Sequence, residues 1–102
     1  MSDEKKNKDR EIQVNIKVDD NIAEGIYSNL AKISHGNDEF TVDFIYINID
    51  PPFGKLQSRI ILTPQHAKRL SIALSQHIEK YELSFGEIKL PQRGPDGFNY
   101  IQ

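Results

Sequence analysis

Apolar positions recur along this chain with two different periods, and the change from one to the other divides it. From Pro64 to Phe85 the period is helical: at about 100° per residue Ala67, Leu70, Ala73, Leu74, His77, Ile78, Tyr81 and Phe85 fall on one face. Lys68, Arg69, Ser75, Gln76, Glu79 and Lys80 fall on the other, and Ile72 stands among them as a single outward isoleucine. Thr63-Pro64 is a strong start, because the threonine hydroxyl accepts an orphan backbone N–H and proline pre-sets φ at the first helical position. Gly86 supplies the stop, so the spacing predicts about six uninterrupted turns, roughly 33 Å long.

Upstream the period is two. Ile12, Val14, Ile16 and Val18 alternate with Gln13, Asn15 and Lys17, which predicts a strand with one wet face. Asp19-Asp20-Asn21 is turn chemistry, and a more weakly alternating extended segment follows over residues 26–35. His35-Gly36-Asn37-Asp38 predicts a hairpin, with glycine and asparagine able to take positive φ, into a third segment over residues 39–49. Phe40, Val42, Phe44 and Tyr46 make one face of that segment, while Ile45, Ile47 and Ile49 make the opposite face apolar as well. Asp50-Pro51-Pro52-Phe53-Gly54 breaks the ladder, and residues 55–62 form a last strand in which Leu56, Ser58, Ile60 and Leu62 alternate with Gln57, Arg59 and Ile61. The expected fold is α+β: a four-stranded antiparallel meander followed by one long C-terminal helix packed on one face.

Residues 1–10 are a mixed-charge run without a large apolar residue beyond the initiator, and read as a disordered tail. Residues 11–88 form the single expected domain. Residues 89–102 read as a Pro/Gly-rich tail, with Phe98, Tyr100 and Ile101 alternating imperfectly at its end. One domain is all that 102 residues accommodate, and 27% charged with 37% hydrophobic residues is a soluble globular composition. A net charge of −2 gives no long-range attraction for nucleic acid or anionic lipid. The absence of cysteine excludes disulfides, thiolate metal sites and thiol catalysis. With no apolar leader and no membrane-length run, the expected location is cytoplasmic.

Candidate chemistry is sparse. His66 and His77 share a side of the helix but stand eleven residues apart, about 16 Å by rise, too far for one metal, and His35 has no partner set. Asp19-Asp20 and Asp38-Glu39 are turn carboxylates rather than an acid/base pair, and Ser28 and Ser58 lie outside any nucleophile elbow. No enzyme, no cofactor and no metal is expected. Two clusters remain as binding candidates. Arg59, Lys68 and Arg69 gather around the helix start, where they either contact phosphate or form a solvated surface balanced by Glu79 and Glu82. Tyr27, Ser28 and Asn29 place three hydrogen-bonding side chains in succession on a strand, which means either a ligand or a bend fixed by local side-chain bonds.

The segments YSNLAKI (27–33), EFTVDFIYI (39–47), SRIILTPQHAKRL (58–70) and KYELSFGEI (80–88) together resemble a small bacterial domain-of-unknown-function family, number 3467. The resemblance runs from Val14 to Ile88 and is most specific at the strand-helix junction; it implies no established activity, cofactor or catalytic residue. In topology alone the expected fold is also similar to the SecB-type export chaperones, which place a four-stranded antiparallel sheet before a long helix and assemble through both.

A lone sheet with one helix leaves Ile45, Ile47, Ile49 and Ile61 uncovered, and apolar surface of that extent marks an interface. The expectation is a homodimer or higher homo-oligomer acting as a protein-interaction or peptide-binding module. The alternative is a nucleic-acid-binding accessory protein using the basic cluster.

Overall fold

The computed structural model describes residues 11–91, so the tail expected at residues 1–10, and all but residues 89–91 of the tail expected at residues 89–102, lie outside the described residues. A single helical turn, α1 (Asp20–Ala23), precedes strands β1 (Leu30–His35), β2 (Phe40–Asn48) and β3 (Phe53–Leu62), and the long helix α2 (Pro64–Phe85) follows. The strands form one antiparallel sheet in the order β1-β2-β3. The fold is therefore α+β as expected, but with three strands and not four. Residues 11–18 join no ladder, and Ile12, Val14, Ile16 and Val18 are 58% to 83% exposed.

The route of the chain into β1 explains the missing strand. Tyr27 sits over β2 with its ring edge-on to Tyr46 at 5.9 Å, and its carbonyl accepts a 2.9 Å bond from Nε2 of Gln57 on β3. A hairpin into β1 needs the preceding residues to run back along β1's outer side, whereas Tyr27 is held toward β3. The alternation of residues 12–18 records an apolar face, and a period cannot name the edge that will receive it.

The β1–β2 hairpin has the expected register, Leu30 opposite Ile45 through His35 opposite Phe40, and Gly36 N–H closes it on the Glu39 carbonyl at 3.0 Å. Gly36 stays out of the left-handed region that the sequence suggested for it. Between β2 and β3 the register shifts once: Phe44 faces Ser58, but Ile45 faces Leu56, so Gln57 is the extra residue of a bulge. The bulge carries Leu56 to the side of the sheet opposite Ser58, Ile60 and Leu62, against its place in the simple alternation.

Helix α2 starts and stops where its sequence signals stand. Thr63 Oγ1 accepts from His66 N–H at 3.1 Å, Pro64 occupies the first turn, and Gly86 at φ 99° ends the helix with its N–H on the Glu82 carbonyl at 2.9 Å. Thr63→Ala is expected to cost about 1 kcal/mol through the lost cap, read as a lower urea midpoint at unchanged slope.

The core is very small. Among the described residues only Leu62 is buried, at 8% exposure, while β2 is half-buried along its whole length. Pro64, Ala67, Leu70 and Leu74 of α2 stand over the face carrying Ile33, Phe40, Val42 and Phe44, and the two walls enclose an open apolar groove of about 590 Å³. The helix thus leans over one face through its first three turns, and Ile78, Tyr81 and Phe85 beyond them remain exposed. No helix among the described residues is long and apolar enough to cross a membrane.

Candidate functional site

Strand alternation and the bulge bring two concavities onto the sheet. The first is the apolar groove under α2. The second is a cleft of about 500 Å³ at the far end of β2, lined by Tyr27, Asn29, Tyr46, Asn48 and Gln57 with Ile47 and Ile49.

Asn29 is the keystone of the cleft. Its N–H donates to the Ile45 carbonyl at 3.0 Å, and its side chain then does what the next β1 residue would have done. Nδ2 donates to the Ile47 carbonyl at 3.1 Å and Oδ1 accepts from Ile47 N–H at 2.9 Å. The amide reproduces the donor and acceptor of a peptide group, so the ladder gains one rung while the backbone turns away toward Tyr27. The other polar groups are also occupied: Tyr46 Oη donates to Asn48 Oδ1, and Asn48 Nδ2 to the Pro51 carbonyl, each at 2.9 Å. Tyr27, Tyr46 and Phe53 form an edge-to-face aromatic row with centroids 5.9 and 6.0 Å apart, exposed at both ends. Of the Tyr27-Ser28-Asn29 cluster, Tyr27 and Asn29 line the cleft and half-buried Ser28 does not. The geometry is that of a bend fixed by side-chain bonds, with the Tyr27 ring exposed.

The basic cluster is not brought together. Arg59 faces Asp43 across the β2–β3 ladder and donates from Nε at 2.7 Å and from Nη2 at 2.9 Å to its two carboxylate oxygens. Asp43 alternates with Val42 and Phe44, which line the groove, so this ion pair lies on the opposite side of the sheet. Lys68 stands on the rim of the groove and Arg69 on the exposed helix surface. Sequence proximity failed here because the sheet separates Arg59 from the helix that follows it. Hydrogen bonding from Arg59 is the main cause of a lowered Asp43 pKa; partial desolvation opposes it, and the charges of Arg59 and Lys32 add to the lowering. The same pairing raises the pKa of Arg59. A carboxylate lowered in the folded state favours folding above the ordinary aspartate range and loses that contribution as pH falls through its folded value. The Asp43 carboxyl is expected to titrate below 3.8 in a ¹³C NMR pH series and to return toward that value in Arg59→Gln.

His35 and His66 take structural places, while His77 stands exposed on α2. His35 stacks beside Phe40 at 5.4 Å, and His66 N–H serves the Thr63 cap. Asn48 and Gln57 were missed by the sequence reading, and Tyr46 was read there only as part of a sheet face. Tyr46 and Asn48 at spacing two on one strand face carried a usable signal, but Gln57 enters the cleft only through the bulge, which its neighbours do not announce.

The chain matches, over residues 1–90, the family model described as protein of unknown function, DUF3467. It belongs to the DUF3467 family. The match takes in the exposed segment 11–18 as well as the sheet and helix of this DUF3467 chain. No curated protein and no solved structure matches the chain. The likeness to SecB-type chaperones therefore has no support, and the four-stranded sheet on which it rested is not present.

Proposed function

We propose that this DUF3467 chain is a cytoplasmic homo-oligomeric module for protein interaction or peptide binding, working without turnover. The observation that carries the reading is the single buried side chain, Leu62, among all the described residues. A chain that has folded its sheet and its helix but covers neither is half of a core. Leu70, Leu74, Ile78 and Phe85 are 41% to 76% exposed, so covering what remains against a second copy contributes on the order of 3 to 7 kcal/mol, at about 1.5 to 3 per fully buried side chain, a large share of the stability of a small domain. The second sheet face contributes less than its sequence suggests, because Ile45 and Ile47 are already half-buried and Ile47 leans to within 3.2 Å of where a Cβ on Gly54 would stand. Ile61 and, at the margin, Ile49 are its exposed members. The groove suits an apolar extended segment in both size and lining.

The nucleic-acid alternative loses its anchor with Arg59 committed to Asp43 on the side away from Lys68. Folding coupled to assembly makes the melting temperature depend on protein concentration. Scanning calorimetry over a hundredfold concentration range is expected to show the midpoint rising by several degrees; a midpoint independent of concentration contradicts the reading.

A further inference from the structure

We propose that residues 11–18 are an exchanged strand, which adds to the open edge of β1 in a second copy and completes its sheet. The inference rests on the homo-oligomer reading above and names the segment that makes the contact.

Four observations converge on it. First, Ile12, Val14, Ile16 and Val18 alternate with polar residues and are exposed, so the segment has the pattern of a half-buried strand without the burial. Second, among the described residues the sheet ends at β1, whose outer backbone N–H and C=O groups meet no described strand, an arrangement that invites pairing with another chain. Third, the two-sided character of the edge matches the donor. Ala31 and Ile33 line the apolar groove, while Lys32 and Ser34 point to the other side. A strand laid there with its apolar residues on the groove side continues that wall past Ile33, which is 57% exposed for want of a neighbour, and sets Gln13, Asn15 and Lys17 beside Lys32 and Ser34. The outer edge of β3 is a poorer match, because Ile60 and Leu62 on one side and Leu56 and Ile61 on the other make both of its faces apolar. Fourth, Tyr27 is held over β2 toward β3, so the chain enters β1 from the β3 side, and residues 11–18 pair with no strand of their own copy among the described residues.

The size also suits. Eight residues span about 27 Å, against about 20 Å for the six of β1. In a twofold exchange four apolar side chains from each copy, at about 60 to 120 Å² apiece, with a matching area from the acceptor faces, bury roughly 1,000 to 2,000 Å², the range of a stable interface.

The absence of cysteine makes cross-linking free of background. Single variants Ile12→Cys, Val14→Cys and Ile16→Cys, with Asn15→Cys as the outward-facing control, are each mixed with a tagged Ile33→Cys chain, dissociated, reassembled and oxidised. Paired strands hold Cα atoms about 4.5 to 5.5 Å apart, within disulfide reach. The expected result is a disulfide between copies for at least one of the three apolar positions, at least tenfold more than for Asn15→Cys. Wild-type amide hydrogen exchange, independent of any substitution, is expected to show residues 12–18 and alternate β1 amides slowed at least tenfold. An assembled wild type with neither the link nor the protection overturns the exchanged strand and leaves the oligomer standing. A monomer at all concentrations overturns both. A 14–33 disulfide that forms only within a single, doubly substituted chain overturns the exchange alone.

Discussion

Leu74→Asp is expected to dissociate the assembly while costing the isolated chain little. Leu74 is 57% exposed although it forms part of the groove wall, so an aspartate there remains hydrated in the monomer. Against a second copy the same carboxylate is buried without a partner, which costs about 3 to 5 kcal/mol and weakens association by roughly 10²- to 10⁴-fold. Sedimentation velocity on wild type and variant side by side reads the change directly. A variant that unfolds but whose wild-type parent is monomeric would instead place Leu74 in an intrachain core.

The second large effect concerns Leu62, the one buried side chain among the described residues. Leu62 ends β3, pairs with Phe40 across the ladder, lines the groove and leads into the Thr63 cap, so its removal loosens the sheet and the helix start together. Leu62→Ala is expected to cost about 2 to 5 kcal/mol, a large share of the roughly 5 to 15 kcal/mol that a folded domain has in total. Leu83→Ala is the control: at 84% exposure and nine residues from Leu74 it stands on the opposite side of α2, and it is expected to change stability by no more than about 0.5 kcal/mol. Urea unfolding of the three proteins at one fixed concentration separates them.

The helix was legible in the sequence down to its end residues, because caps are local chemistry: Thr63, Pro64 and Gly86 act on backbone groups within a few residues of themselves. The β1–β2 hairpin and the end of β3 at Leu62 were legible for the same reason, whereas Phe53 and Gly54, read as part of the break, already pair with Asn48 and Ile47. What was not legible depends on which backbone meets which. The alternation at residues 12–18 is as regular as any in the chain, yet a strand exists only when an edge receives it, and here none of the chain's own edges does. The bulge at Gln57 reverses Leu56 without any glycine or proline to mark it. Asn29 reads as one polar residue among three, and only the register shows its amide standing in for a rung opposite Ile47. Arg59 reads as part of a basic cluster until the ladder sets Asp43 across from it. In the candidate site, then, Tyr27 and Asn29 were found for their chemistry, while their partners came from pairing that a linear pattern does not carry.

A sheet half-buried along its middle strand, a helix of 22 residues with its last turns exposed and a strand-patterned segment without a ladder are the surfaces that the proposed assembly covers. Sedimentation equilibrium of the wild-type chain at tens of micromolar tests this most directly. The mass is expected at twice the 11.7 kDa of one chain or a higher multiple. A single species at 11.7 kDa that also unfolds cooperatively would contradict it, since such a monomer would have to be stable on the strength of Leu62 and a half-buried sheet alone.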